Sequence, residues 1–307
     1  MSEKIAPEKT KPLVSIIMNC FNGEGYLRDA IDSVLRQTYQ NWEIIFWDNQ
    51  SDDNSAKIFN KYNDPRFKYF FAKKHTYLYE ARNCAIEKSR GDFIAFLDVD
   101  DWWLPSKLEK QVLLFSDTEV GFTYGNYYLK NELKKKKWLA IKSQIPTGWV
   151  LDELLKSYFV GLLTLMVRRS ALDSLEYHCD SRYHVMGDLD LVVRLSINWK
   201  SDAVQEPIAV CRKHGDNELY KHRTRHVNEL ESWIKEMTDV KEIYSNPSFH
   251  NIKINYTYQK AIDQVMQLNK MNAVKLSFDL PWGLFKLRLW VVIITPIYII
   301  RRIKSYY

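Results

Sequence analysis

The first half of the chain alternates runs of β-branched and aromatic residues with segments of helical periodicity. The runs Leu13–Met18, Trp42–Asp48, Phe67–Phe71 and Asp92–Asp98 predict four strands, and apolar residues at helical spacing separate them. This alternation is typical of βαβ units around a largely parallel sheet. Such sheets bind ligands at the carboxyl ends of their strands. We therefore predict an α/β fold whose candidate site lies at the strand ends.

Several common classes of protein are excluded by what the sequence lacks. No G-x-G-x-x-G follows the first predicted strand and no G-x-x-x-x-G-K-[ST] occurs, so a dinucleotide-dependent dehydrogenase and a P-loop NTPase lose their main support. The four cysteines form no C-x-x-C pair, which argues against a zinc site and a disulfide framework and suits a reducing compartment. Five of the six net positive charges lie in 281–307, so the near-neutral remainder does not suit a nucleic-acid partner.

An acidic cluster ends the fourth predicted strand. The sequence "GDFIAFLDVDDWWLP" runs apolar up to Leu97 and then presents Asp98, Asp100 and Asp101. Hard divalent cations such as Mg²⁺ and Mn²⁺ take oxygen ligands of this kind. Asp101 alternatively caps the amino end of the helix predicted after Pro105. Both roles are compatible, because three carboxylates leave one for capping.

Several motifs in the same order resemble a known family. The strings "VSIIMNCFNGEGYLRDA", "EIIFWDNQSDDNS" and "ARNCAIEKSRGDFIAFLDVDDWWLPSKLE" resemble the nucleotide-sugar-binding half of the family 2 glycosyltransferases. The resemblance covers residues 12–115 strongly and 116–220 weakly. It implies a GT-A fold, in which a Rossmann-like mixed sheet is flanked by helices. It also implies an inverting transferase that uses a nucleoside diphosphate sugar, with a UDP-sugar as the expected donor.

The resemblance assigns the donor side residue by residue. It implies that Asn22 lies near the nucleotide, that Asp48 contacts the uracil base, that Arg82 lies beside the nucleotide and that Asp98 approaches the ribose. Asp100 would bind the divalent metal, Mn²⁺ or Mg²⁺, that bridges the two phosphates. A cation fixed on the leaving diphosphate stabilises its developing charge. Asn22 and Asp48 alternatively serve as plain turn residues.

The second half offers a base. Inverting displacement at an anomeric carbon needs a carboxylate that deprotonates the acceptor hydroxyl. In "HVMGDLDLVVRLS" the resemblance implies this role for Asp188, although Gly187 stands where the family often has Glu; Asp190 is a secondary candidate. Alternatively, Asp188 caps a helix and Asp190 favours its dipole. "VCRKHGDN" resembles the family's Tyr-Arg-x-His stretch and implies that His214 is a second metal or diphosphate ligand, with packing as the alternative.

The domain prediction has four parts. Residues 1–11 form a flexible N-terminus, and 12–220 form the GT-A domain, with the nucleotide-sugar half ending near 118. A helical extension, 221–280, and a basic amphipathic tail, 281–307, follow. The apolar stretch 289–300 is twelve residues long, is interrupted by Pro296 and is too short to span a bilayer. Basic residues on both sides suit a helix lying on a membrane surface, with packing against protein as the alternative.

The sequence thus predicts a metal-dependent inverting glycosyltransferase. Its partners would be a nucleoside diphosphate sugar, a glycan or lipid-linked glycan acceptor and a membrane surface. We expect a cytoplasmic chain that is peripheral on the inner face of the membrane. Two other readings stay open: a nucleotidyltransferase that makes nucleotide sugars, and a non-catalytic scaffold that binds nucleotide or glycan.

Overall fold

The computed structural model describes residues 11–132, 134–214 and 222–296, together with Ile299. Most of the predicted flexible N-terminus and the end of the predicted tail lie outside these residues. The described strands are β1 Val14–Cys20, β2 Trp42–Asp48, β3 Phe67–Phe71, β4 Phe93–Phe96, β5 Trp102–Trp103, β6 Val120–Asn131, β7 Lys136–Leu139, β8 Met166–Arg168 and β9 Lys200–Lys213. The described helices are α1 Leu27–Leu35, α2 Ser55–Phe59, α3 Leu78–Glu87, α4 Lys107–Leu114, α5 Leu151–Lys156, α6 Arg169–Asp173, α7 Gly187–Asn198, α8 Arg223–Glu236, α9 Lys241–Tyr244, α10 Phe249–Met266, α11 Lys270–Phe278 and α12 Leu284–Ile294.

The strands form one mixed sheet in the order β3-β2-β1-β4-β8-β6-β9-β5, with β7 beside β6. The first four strands are parallel to one another, as the sequence predicts. The second half of the chain extends this unit through β8, which is antiparallel to both β4 and β6. The ends of β1, β2 and β4 therefore meet at one edge of the sheet.

Helices cover both faces of the parallel strands, which explains why those strands read as nearly continuous apolar runs. Along β1, Ile17 packs with α3 and α7 on one face, whereas Ile16 and Met18 pack with α1 on the other. Helix α1 buries Leu27, Ile31 and Val34, whereas 37% of Leu35 is exposed. Leu35 is the last residue of α1, where the buried face ends.

The C-terminal helices divide between two cores. Trp233 of α8 is fully buried within the main core. Helices α10 to α12 share a smaller core in which Ala261 and Val265 contact Leu289 and Ile293. One face of α12 thus packs against protein, the alternative left open for the predicted tail. No helix within the described residues combines the length and apolar character needed to cross a bilayer.

Candidate functional site

A cavity of about 950 Å³ opens where the parallel strands end. Of the predicted site residues, Asn22, Asp98, Asp100 and His214 line it. The strand ends of β1 and β4 supply the first three, and His214 follows β9. These four residues stand on three separate segments of the chain.

The loop after β1 is tied to its neighbours by hydrogen bonds. The backbone N–H of Asn22 donates to Ser51 Oγ (3.0 Å), and Asn22 Oδ1 accepts from the backbone N–H of Asp52 (2.9 Å). Asn22 has a φ of 54°, a left-handed conformation that Asn tolerates better than most residues. A Cβ on Gly23 would lie 2.8 Å from Val99 Cγ2. Asn22 is therefore a turn residue that also faces the cavity.

The structure does not bring Asp48 to the cavity. Its carboxylate is fully buried and accepts hydrogen bonds from the Ser51 backbone N–H (2.7 Å) and the Tyr69 hydroxyl (2.8 Å). These hydrogen bonds fit the turn residue considered as the alternative. The next residue, Asn49, lines the cavity instead, held by hydrogen bonds to the backbone of Thr76. Asn49 belongs to a strand end that the sequence singled out, but the sequence does not show which of two successive side chains faces the cavity.

Asn19, at the end of β1, is a second cavity residue to which the sequence assigned no role. It is only 7% exposed, and neither its Nδ2 nor its Oδ1 has a hydrogen-bond partner within the described residues. Burying an amide without partners costs free energy, so such a group is often kept for a ligand. Phe21 and His75, whose ring centres lie 4.4 Å apart, also line the cavity.

Arg82 lies behind the cavity wall and binds Asp98. Its Nη2 donates to Asp98 Oδ1 (2.7 Å), and its guanidinium lies 4.5 Å from the centre of the Tyr79 ring. Arg82 is almost fully buried, and its Nη1 has no hydrogen-bond partner within the described part of the chain. Asp98 is thus held in place by a buried cation.

Asp100 and His214 face each other across 2.9 Å, between Oδ2 and Nε2. No group of three or more His, Cys, Asp or Glu side chains within the described residues is arranged to hold a metal ion. Mg²⁺ and its relatives, however, are commonly bound by one or two side chains together with substrate phosphates and water. One carboxylate and one imidazole on the cavity wall fit a cation shared with a diphosphate.

Asp101, a secondary candidate, has a structural role. It is buried, and its Oδ1 accepts from the backbone N–H of Arg212 in β9 (2.8 Å). Burial and the neighbouring Asp100 raise the pKa of Asp101 well above its usual range. Strand β5 separates Asp101 from α4, whose N-cap residue is Ser106. The predicted helix cap is therefore wrong, because the chain forms a short strand before the helix begins.

Asp188 is the second residue of α7, and Met186 rather than Asp188 is the N-cap. Its Oδ2 accepts from the Tyr158 hydroxyl (3.2 Å), and its backbone N–H donates to Tyr79 Oη (2.8 Å). Burial raises the pKa of the Asp188 carboxyl, and the charge of Arg82 opposes that rise. A carboxylate with a raised pKa is suited to accept a proton near neutral pH.

The Tyr79 ring explains why Gly187 precedes Asp188. A Cβ on Gly187 would lie 2.6 Å from Tyr79 Cγ, closer than side chains tolerate. The ring fills the space that any other residue at 187 would use, including the Glu that the family often has. Tyr79 thus touches both Arg82 and Asp188. No local pattern pointed to Tyr79, because its contacts are distant in sequence.

Asp190, the other secondary candidate, is bonded within the protein, and neither it nor Asp188 lines the cavity. Its Oδ2 pairs with Arg194 (2.7 Å), and its Oδ1 accepts from Trp233 Nε1 (3.1 Å). Only 1% of Asp190 is exposed, and it does not line the cavity. The Asp190 side chain lies two residues after Asp188 on α7 and points to the protein interior, where it connects α7 to Trp233 of α8.

Comparisons with known proteins place these features in a family. The model of "Glycosyl transferase family 2" matches residues 15–175. The UDP-Glc:alpha-D-GlcNAc-diphosphoundecaprenol beta-1,3-glucosyltransferase WfgD of Escherichia coli is 36% identical over 165 residues, which are 54% of this chain and 64% of WfgD. The chain therefore spans less than two thirds of this relative's length.

Two solved structures share the fold. TarS 1–349 of S. aureus in complex with UDP-GlcNAc has a TM-score of 0.67 at 14% identity, over 87% of this chain and 81% of TarS. The mannosyltransferase PcManGT of Pyrobaculum calidifontis in complex with GDP-Man and Mn²⁺ has a TM-score of 0.55 at 15% identity, over 81% of this chain and 76% of that one. The predicted GT-A fold with a helical C-terminal part is confirmed. Since the family model covers more than half of the residues of this chain, the chain belongs to glycosyl transferase family 2.

Proposed function

We propose that this protein transfers a sugar, with inversion, from a UDP-sugar to a hydroxyl of a lipid-linked glycan. The observation that carries this proposal is the convergence of Asp98, Asp100 and His214 on one cavity. The donor and acceptor classes are supported by WfgD, whose name gives UDP-Glc and a diphosphoundecaprenol-linked GlcNAc, and by the TarS complex with UDP-GlcNAc.

The uracil base would bind beside Asn19 and Asn49. The unpartnered amide of Asn19 offers an oxygen acceptor for the N3–H of uracil and N–H donors for a uracil carbonyl. Phe21 and His75 would contact the face of the base. This assignment replaces Asp48, whose oxygens are already bonded to Ser51 and Tyr69. Asp98, fixed by Arg82, is then placed to accept from the ribose.

Asp100 and His214 would hold the divalent metal, Mn²⁺ or Mg²⁺. When bound, the metal neutralises negative charge that develops on the diphosphate as it leaves. The side-chain oxygen and nitrogen are already close, and the remaining ligands would come from phosphate and water. The Mn²⁺ in the mannosyltransferase structure supports this choice by fold analogy.

Asp188 would act as the general base. Its carboxylate takes the proton of the acceptor hydroxyl while the hydroxyl oxygen forms a bond to the anomeric carbon. The bond from that carbon to the diphosphate breaks, and its electron pair leaves with the diphosphate. Attack opposite the leaving group turns an α-linked donor into a β-linked product. Tyr158 and Tyr79 hold Asp188 through its side chain and backbone.

A lipid-linked acceptor lies at a membrane, and the exposed apolar face of α12 suits contact with that membrane. Leu284, Leu287, Val291 and Ile294 are between 56% and 73% exposed. We propose that this face rests on the membrane surface that carries the acceptor. The variant Leu287→Glu with Val291→Glu should then co-sediment less with anionic vesicles than the wild type, and equal sedimentation would contradict this placement.

Ligand-dependent melting tests the donor site. The wild type is heated with UDP, GDP or CDP, each with and without Mn²⁺. A ligand present at 100 times its Kd stabilises the folded state by about 2.7 kcal/mol. UDP with Mn²⁺ should raise Tm most, and Asp100→Asn should remove the metal-dependent part. Asp52→Asn is the matched control, since this exposed carboxylate does not line the cavity.

Transfer assays with the variant Asp188→Asn test the base. This variant should lose transfer by at least about a hundredfold, the usual contribution of a general base. UDP binding should stay as in the wild type. Transfer by Asp188→Asn at the wild-type rate would overturn the assignment of the base and leave the proposed donor site unaffected.

A further inference from the structure

A run of four consecutive lysines lies in the hairpin that β6 and β7 form. This hairpin, residues 128–132 and 134–139, is called here the lysine hairpin. Two further lysines stand on the strands beside the run, one on β6 and one on β9, which pairs with β6. The six residues are Lys130, Lys134, Lys135, Lys136, Lys137 and Lys213, and the four consecutive ones are exposed.

The positive charge of the lysine hairpin is poorly balanced. Glu132 is the one acidic residue in the sequence 128–142. Its Oε1 already lies 3.2 Å from Lys130 Nζ and 2.6 Å from Arg212 Nη1. Within the described residues, the lysines at 135–137 have no carboxylate at ion-pairing distance. Their charge is therefore left for a partner that is negatively charged.

Aromatic rings stand among these lysines. Lys137 Nζ lies 3.8 Å from the centre of the Tyr128 ring, and Lys213 Nζ lies 5.7 Å from the centre of the Trp138 ring. Trp138 is 39% exposed although it is large and apolar. Trp and Tyr beside Lys are typical of segments that lie at a membrane–water interface.

The register of the hairpin shows how a partner must approach it. Lys137 lies opposite Lys130, and Lys136 lies opposite Asn131. Because successive residues of a strand point to opposite sides, lysines stand on both faces of the hairpin. A partner that meets all of these charges therefore contacts the end of the hairpin. No described residue of the hairpin lines the cavity, so this end suits an extended anionic surface better than a small anion.

The lysine hairpin ends at the edge of the sheet where the cavity opens. Strands β4 and β6 are both antiparallel to β8, and β9 is parallel to β6. The three strands β4, β6 and β9 therefore end at the same edge. Lys213 pairs with Asn131 at the end of the hairpin, and the next residue, His214, lines the cavity.

Protection of an edge strand does not account for the cluster. Lysines discourage such a strand from pairing with another chain. Within the described residues β7 pairs only with β6, so this role applies to Lys136 and Lys137. It does not apply to Lys135, which lies in the turn with a φ of 52°, a left-handed conformation that favours Gly and Asn. Nor does it explain the exposed Trp138, because an apolar ring favours association.

We propose that the end of the lysine hairpin docks on the anionic headgroups of a membrane. The lysines meet the lipid phosphates, and Trp138 lies at the level of the headgroups. This contact brings the edge of the sheet with the cavity to the membrane surface. The inference goes beyond the proposed function, which uses only α12 at the membrane, and it requires neither the donor site nor the base.

Co-sedimentation of the full chain with two kinds of vesicle tests the proposal. One kind is phosphatidylcholine alone, and in the other about a third of the lipid is phosphatidylglycerol. A lysine near an anionic leaflet strengthens binding by about fivefold. The triple variant Lys135→Gln, Lys136→Gln, Lys137→Gln should therefore bind the anionic vesicles at least about tenfold more weakly than the wild type. Lys135→Gln with Lys136→Gln keeps the contact of Lys137 with Tyr128 and serves if the triple variant unfolds.

The matched control is Lys57→Gln, Lys61→Gln, Lys241→Gln, which removes three exposed lysines elsewhere. Both triple variants have the same net charge and the same tail, so the difference between them reports the hairpin alone. The control should bind the anionic vesicles within about twofold of the wild type. Raising the salt from about 0.1 M to about 1 M shortens the Debye length from about 10 Å to about 3 Å and should weaken binding of the wild type.

Two results would overturn the proposal. One is equal binding of the hairpin variant and the control to anionic vesicles. The other is binding of the wild type to heparin without any preference for anionic over neutral vesicles, because the partner would then be an anionic polysaccharide. No sugar donor or acceptor is present in this experiment, so failure of the proposed function shows separately, as absence of transfer by the wild type.

Discussion

The contact between Gly187 and Tyr79 predicts that a single methyl group at position 187 damages the protein. In Gly187→Ala the new Cβ would lie 2.6 Å from Tyr79 Cγ. Over-packing a well-packed interior typically costs about 1–3 kcal/mol. Replacing Gly by Ala within a helix recovers at most about 1 kcal/mol, and less at the first residue of α7. We therefore expect the free energy of unfolding to fall by about 0.5–2 kcal/mol.

The same change should slow catalysis. A displaced Tyr79 ring lengthens the hydrogen bond from the Asp188 backbone N–H, now 2.8 Å, and disturbs the contact with Arg82, now 4.5 Å. A loss of about 1.4 kcal/mol in transition-state stabilisation lowers kcat tenfold. Gly187→Glu, which restores the residue that the family often has, should be worse, because its side chain is larger and charged.

Urea unfolding and kcat are measured for Gly187→Ala and for the control Gly25→Ala. A Cβ on Gly25 meets no atom within 4 Å, so this variant should stay within about 0.5 kcal/mol of the wild type. In a Tyr79→Ala background, Gly187→Ala should cost little, because the two residues are coupled through direct contact. If Gly187→Ala matches Gly25→Ala in both stability and kcat, the packing argument is refuted.

Three further predictions concern buried charges. Asp190→Ala should lower the free energy of unfolding, measured in urea, by about 3–5 kcal/mol, because it leaves the buried Arg194 without its carboxylate. The folded fraction of this variant should still bind UDP, and weaker UDP binding would assign Asp190 to the site. Arg82→Gln should move the acidic limb of the kcat/KM profile to higher pH, because Arg82 lowers the pKa of Asp188; an unmoved limb contradicts this. Burial lowers the pKa of Lys107, so the unfolded chain binds more protons than the folded one below pH 10.5, and stability due to this group grows as pH rises. The difference in Tm between the wild type and Lys107→Met should therefore change in favour of the wild type from pH 7 to pH 10. A difference that stays constant would contradict the lowered pKa of Lys107.

The parallel half of the sheet could be predicted because its strands must be apolar on both faces, which leaves a local signal in the sequence. The convergence of Asp98 and Asp100 on one edge follows from the same topology. That Asn49 lines the cavity and Asp48 does not could not be predicted, since it depends on which of two adjacent side chains points outward.

Tertiary contacts determine the remaining features. Asp190 and Asp101 read as candidate site residues, but their partners, Trp233 and the Arg212 backbone, are distant in sequence. The pairing of Gly187 with Tyr79 gives no local pattern either. Sequence analysis therefore identified the departure at Gly187 from the family pattern but not its physical cause.

The hydrogen bonds that tie the loop after β1 to the loop after β2 have an energetic consequence. Asn22 bonds to both Ser51 and Asp52, and Gly23 contacts Val99 so closely that a side chain there would not fit. Three strand ends are thereby held together by the protein's own contacts. If the proposed nucleotide binds here, little free energy is spent on ordering these loops, so more of each contact would appear as measured affinity.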